Sequence, residues 1–222
     1  MLGNKGVSEI TGALLVIVVM LTASGIIYVI SYPTITNGIE NLEYRNTVKN
    51  LLELREIVER VRMGVEPSAE KEIPLGGGSL YVNKTALLVS VNGRPPIVVG
   101  NIEAKIGSKI VAFETGIYER SNPIPISEPV ILKTPKRIYV ALYNFTGNFS
   151  AGGEKTRIHI RYAGFSREDG VFKLVLYSAY CENWKRAFES AGVSVLDYCP
   201  NNVTISSPSN NISIRIYNMV VS

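Results

Sequence analysis

Histidine, cysteine and tryptophan are scarce in this chain of 222 residues, with one His, two Cys and one Trp. One imidazole and two thiols are too few for a structural zinc ligand set, so no metal is expected. The single histidine, His159, lies in the alternating run Thr156-Arg157-Ile158-His159-Ile160-Arg161, which puts it on the polar face of a strand with Arg157 and Arg161. No general base is evident beside it. The sequence contains no G-x-S-x-G elbow, no paired-carboxylate motif, no metal-ligand spacing and no nucleotide fingerprint, so no catalytic residue, no cofactor and no enzymatic activity are expected. Gly76-Gly77-Gly78-Ser79 has no Lys-Ser/Thr after it, which rules out a phosphate loop and leaves a short hinge. The chain also lacks a basic tract. Its net charge of +4 is modest and spread out, so nucleic acid is not an expected partner. Arg157, Arg161, Arg167 and Lys173 could share one sheet face, where such charges normally mark a solvated surface that blunts edge pairing. No internal repeat and no low-complexity linker is present.

Charge is missing altogether from Ile10 to Ile39. The run Ile10–Ile30, ITGALLVIVVMLTASGIIYVI, is about 20 residues long, enough at about 1.5 Å per residue to cross a hydrocarbon core of about 30 Å. Lys5 and the amino terminus lie on one side of it, so the positive-inside bias predicts a single-pass membrane segment with Met1–Gly6 in the cytoplasm and the chain after Tyr32 outside. Three kinds of segment fit this pattern. A secretory signal peptide has a shorter apolar region, and a small-residue cleavage site near Ala23-Ser24-Gly25 would lie inside the run with more apolar residues following. An uncleaved signal anchor is the second. The third rests on a family likeness.

Lys5-Gly6-Val7-Ser8-Glu9, directly before the apolar helix, resembles the class III signal sequence of archaeal type IV pilins. That resemblance implies cleavage by a prepilin peptidase after Gly6, leaving a leader at 1–6 and Val7 as the first mature residue, with Lys5-Gly6 as the recognition pair. It further implies a filament subunit whose partners are copies of itself or other pilins. Glu9 would be the third mature residue, and Thr11 stands at the fifth, where many bacterial pilins carry a glutamate. A carboxylate so near a new ammonium group would still neutralise it locally. Gly12, Ala13, Ala23, Ser24 and Gly25 are small enough to let such helices approach closely, although small residues are also tolerated in any membrane helix.

Tyr32-Pro33 is expected to interrupt or kink the helix, because proline removes a backbone donor and crowds the preceding turn. This divides a membrane or filament-core helix at 7–32 from an amphipathic helix at 33–66. In the second, Ile35, Ile39, Leu42, Val48, Leu51, Leu52, Ile57, Val58 and Val61 recur at mostly helical spacings opposite a charged face, and Gly64 is the expected stop. The stripe suits packing against a globular head. A stalk or dimerising coiled coil is the other use for such a helix.

From about Ile73 to Ser222 the texture becomes β-rich, with short β-branched and aromatic runs separated by turn residues. Asn92-Gly93 predicts a hairpin between Ala86–Val91 and Arg94–Val99, with Pro95-Pro96 pushing the second strand toward a sheet edge. Further strands are expected at Lys109–Phe113, Pro129–Leu132, Arg137–Tyr143, Thr156–Tyr162, Val171–Tyr177, Asn202–Ser206 and Ser213–Val221. Tyr180–Ala191 reads as one short helix with Trp184, Ala187 and Phe188 on one face, ending at Gly192. The fold class is therefore α+β: a long amino-terminal helix and an antiparallel, sandwich-like head at 73–222 with one short helix.

Cys181 and Cys199 make an even pair in a domain predicted to be exported, which favours a disulfide over two buried thiols. Five N-x-[ST] sequons follow the apolar run and none precedes it: Asn83, Asn144, Asn148, Asn202 and Asn211 are candidate N-glycosylation sites. Decoration of this kind is also common in archaeal pilins, which the chain resembles. The expected function is a structural subunit of a surface filament that supports attachment. The alternatives are a minor pilin that primes, caps or anchors a filament, and an anchored extracellular binding module that never polymerises.

Overall fold

A computed structural model describes residues 4–122, 124–197, 199, 202–207 and 211–222, with the backbone alone at 4–10 and 197. The fold is α+β, and the chain divides into two compact units, Met1–Leu42 and Glu43–Ser222.

Helix α1 runs over Asn4–Arg62 without a break, with Pro33 inside it. The expected interruption at Tyr32-Pro33 is absent. Pro33 withholds one N–H from the ladder, but two hydroxyls just after it bond back to carbonyls of the preceding turn: Thr34 Oγ1 donates to Ile30 O at 3.2 Å and Thr36 Oγ1 to Tyr32 O at 2.9 Å. The helix stops where Gly64 takes φ +76°: its N–H bonds Val61 O, and the next N–H, of Val65, reaches Arg60 O. That pair of bonds is a Schellman cap, and it needs a left-handed residue that glycine adopts without strain.

In the second unit, α1 buries Thr47, Leu51, Leu54, Val58 and Val61. Their spacing of four and three residues is one helical stripe. Leu54, absent from the expected stripe, is fully buried, whereas Leu52 is 37% exposed. Ile35, Ile39 and Leu42, which the periodicity also placed on it, are exposed and belong to the first unit.

Among the described residues the head holds thirteen strands: β1 Ser68–Pro74, β2 Ser79–Val91, β3 Ile97–Ile106, β4 Lys109–Phe113, β5 Ile117–Glu119, β6 Ile131–Lys133, β7 Ile138–Thr146, β8 Ser150–Gly152, β9 Lys155–Val171, β10 Lys173–Ser178, β11 Val195–Asp197, β12 Val203–Ser206 and β13 Ile212–Val221. One sheet has the order β1-β9-β13-β7-β6 and the other β11-β12-β10-β2-β3-β4-β5, with β8 also on β2. All ladders are antiparallel except that of β7 with β13. Strands begin at Ser68, and Gly76-Gly77-Gly78 forms the β1–β2 turn inside the head, so it is no hinge between helix and head.

The Asn92-Gly93 turn forms as expected, with φ +52° and +74° and Arg94 N bonded to Val91 O at 2.9 Å. The following strand is at an edge only in its first half, where Ile97–Asn101 pairs with β2 alone. Prolines 95 and 96 fall before β3, whose later half, from Ile102, is sandwiched between β2 and β4. Two apolar clusters fill the head. One joins β2, β3 and β10 with β7, β13 and the short helix α2, Cys181–Ser190; the other joins the α1 stripe to both sheets.

Candidate functional site

The chain's most unusual surface is the apolar part of its first unit. A helix long and apolar enough to cross a membrane is present, with a mean hydropathy of 2.7 over its most apolar 18-residue window and none of that window buried. Leu14, Ile17, Leu21, Ile27 and Ile30 are all exposed. Aqueous burial does not account for these side chains, so their favourable environment must come from lipid or from another apolar surface. The Thr22 hydroxyl is satisfied within the helix, donating to Val18 O, which suits a segment without water. Tyr28 and Tyr32 stack with centroids 5.6 Å apart at the far end of the run. A Cβ added at Gly12 or Gly25 would meet nothing within 4 Å, so these glycines are open on the isolated helix, as is the exposed Ala13 beside them. Lys5, Gly6, Val7 and Glu9 lie on the backbone of α1, and their side chains fall outside the described residues.

In the head, Cys181 and Cys199 form the expected disulfide, with Cα atoms 5.6 Å apart. It ties the first residue of α2 to the segment beyond β11, and α2 ends at Gly192 with the same cap as α1.

The five sequons are not equivalent. The Asn144 side chain is used up inside the head: its Oδ1 accepts from Gly100 N at 2.9 Å and its Nδ2 donates to Asn218 Oδ1 at 2.9 Å. Asn83 donates to Glu103 at 3.1 Å and accepts from Thr85 N at 3.2 Å. Asn148 is exposed and accepts a hydrogen bond from the Lys84 ammonium. Asn202 and Asn211 are half-buried.

The four cations that could have shared one sheet face do not all do so. Lys173 is in the other sheet from Arg157, Arg161 and Arg167, Arg157 lies within 3.4 Å of Glu70 and 3.7 Å of Glu72, and Arg167 is 2.6 Å from Asp169. His159 does share a face with Arg157 and Arg161, and its N–H donates to Ser222 O at 2.9 Å. Among the described residues no cluster of His, Cys, Asp or Glu is placed to hold a metal ion.

Sequence reasoning missed a buried polar centre. Glu114, 2% exposed, follows β4 and accepts from Trp184 Nε1 at 2.7 Å and from Ser178 Oγ at 3.0 Å. Burial pushes its carboxyl up to about 7, against the pull of those donors. Glu103, equally buried, accepts from Tyr81 OH at 2.7 Å and faces Arg120 at 3.6 Å. The available signal was a glutamate set among apolar strand residues, Glu103 inside IEAKI and Glu114 just after the apolar run of VAFET. Chemically, Glu114 anchors α2 to β4 through the indole and takes up a proton near neutrality.

Comparison with known proteins adds a family. The model of the family of unknown function DUF7289 matches residues 5–211. An uncharacterized protein of Archaeoglobus fulgidus is 36% identical over 253 aligned positions, covering 96% of this chain and 95% of the relative. No solved structure matches.

Proposed function

This chain belongs to the DUF7289 family, and we propose that it is a structural subunit of an archaeal type IV pilus-like surface filament, processed by prepilin peptidase after Gly6. The observation that carries the reading is the division of labour along α1. Its early part is apolar and unburied, while its later part buries one stripe in a β-rich, disulfide-bonded head. A cut on the cytoplasmic side of the apolar segment would leave that segment attached. It can then leave lipid and pack against copies of itself, with Gly12, Ala13 and Gly25 allowing close approach. Before assembly the chain would cross the membrane once with its amino terminus inside and its head outside. A relative from an archaeon is consistent with a signal of the archaeal kind.

The test is Gly6→Val in a cell that makes prepilin peptidase. The parent chain is expected to mature to a Val7 start and to appear in surface filaments, and the variant to keep Met1 and yield none. Normal maturation of the variant would end the reading.

A further inference from the structure

We propose that one face of the five-stranded sheet, just beyond the end of α1, is a binding groove for an acidic saccharide, with Arg215 reading its carboxylate. The inference does not depend on whether the chains polymerise. Ser213, Arg215, Tyr217, Met219 and Val221 alternate onto one face of β13. Tyr217, Met219 and Val221 belong to the cluster that contains the α1 stripe, but α1 ends at Arg62. Past Tyr217 the face carries exposed Arg215, with Ser213 buried beyond it, and beside them lies a groove of about 450 Å³ lined by Arg62, Leu132, Tyr139, Ala141, Arg215 and Tyr217. That volume lies in the range of small-molecule sites.

Charge decides what the groove takes. Arg215 stands directly opposite Arg167 in the β9–β13 ladder, an arrangement of like charges that is unfavourable unless something neutralises it. Asp169 is already committed: it lies 2.6 Å from Arg167 Nε and accepts from Ser213 Oγ at 2.7 Å, and these contacts, the hydroxyl's first, hold its carboxyl below the usual range. Arg62 is committed too, 2.6 Å from Glu59 and 4.9 Å over the Tyr217 ring. Arg215 is exposed and has no ion pair or hydrogen bond among the described residues. Arg167 already has Asp169, so a ligand carboxylate can take a bidentate contact from Arg215, the member of the pair left without a carboxylate.

The rest of the lining selects the body of the ligand. Half-buried Tyr139 offers a ring surface that carries a polar tip, buried Tyr217 lies beneath Arg62 beside it, and Ala141, between Arg215 and β6, keeps the floor low. A sugar ring has an apolar face for the Tyr139 ring and hydroxyls for its tip. An extended peptide would lack its usual purchase. Strands β13 and β7 are paired on both sides, and the edge strand β6, whose Leu132 lines the groove, is only three residues long, too short for an extended ladder.

The experiment uses the full chain in non-ionic micelles and three probes: tetragalacturonate, neutral tetragalactose and hexaglutamate, with binding read by calorimetry and fold by circular dichroism. Tetragalacturonate is expected to bind at least about tenfold more tightly than either other probe. Arg215→Ala should lose about tenfold or more, Arg215→Lys an intermediate amount, and Leu132→Glu, which sets a like charge on the exposed wall, should weaken binding as well. Failure of all probes, equal binding of the neutral sugar, unchanged affinity in a folded Arg215→Ala chain, or tighter binding of hexaglutamate would each overturn the proposal, the last in favour of an acidic peptide.

Discussion

The first and last thirds of α1 use the same backbone for opposite ends. Around Leu14–Ile30 nearly every side chain is large, apolar and exposed, whereas around Thr47–Val61 one stripe is buried and the remaining positions are mostly polar or charged. A uniform helix would show one pattern throughout. The difference teaches that burial inside the chain accounts for the second pattern and not the first, so the first requires a partner that is lipid or protein.

Substitutions can break this comparison cleanly. Leu54→Ala, at a fully buried position of the later stripe, should lower head stability by about 2–5 kcal/mol in a denaturant titration while membrane partitioning stays unchanged. The reciprocal change, Val18→Asp, should raise the cost of membrane insertion by about 2.5–3.5 kcal/mol and leave the denaturant midpoint of the head alone. If Val18→Asp unfolds the head, the two parts of the helix are not separable as argued.

Two further predictions sharpen what holds the head. Reducing Cys181–Cys199, which closes a loop across a separation of 18 residues, should cost about 3 kcal/mol on the chain-entropy account, readable as a lower melting temperature under reductant. Glu114 should make stability fall with rising pH. Its folded value of about 7 exceeds the ordinary 4.5, so the folded chain holds a proton there that the unfolded chain has released. The contribution is complete below about pH 4.5 and lost as pH rises through about 7, a drop on the order of 3 kcal/mol. Glu114→Gln should flatten that part of the profile; a slope that survives the substitution assigns it elsewhere.

The smallest effects concern the sequons. Asn144→Ala leaves Gly100 N and Asn218 Oδ1 without their internal bridge and should cost about 1–3 kcal/mol, while Asn148→Ala on the surface should stay within about 0.5 kcal/mol. Glycopeptide mapping should accordingly find Asn148 modified and Asn144 bare.

Local chemistry was legible wherever one residue type dictates one geometry. Asn92-Gly93, Gly64, Gly192 and the cysteine pair each declared their turn, cap or link, and Lys109–Phe113 was read to its last residue. Legibility failed where tertiary context decides. Ala163–Gly170 looks like a charged, glycine-containing loop, yet β9 runs straight through it, with Gly164 at φ +112° and Gly170 at φ +66° placed in two register shifts against β13. Polar Ser68–Pro74 is a strand because the Glu70 and Glu72 carboxylates meet Arg157 and Lys155 across the ladder. Glu114 was invisible as a buried group, since its partners Ser178 and Trp184 are 64 and 70 residues away. The groove at Arg215 has the same cause. Only the β9–β13 register reveals that two arginines face each other.

The most direct test of the filament account is the intact mass and amino-terminal sequence of the chain recovered from its native cell surface. A start at Val7 is the predicted result. A start at Met1, with leader and apolar segment both in place, would contradict prepilin processing and leave an anchored ectodomain.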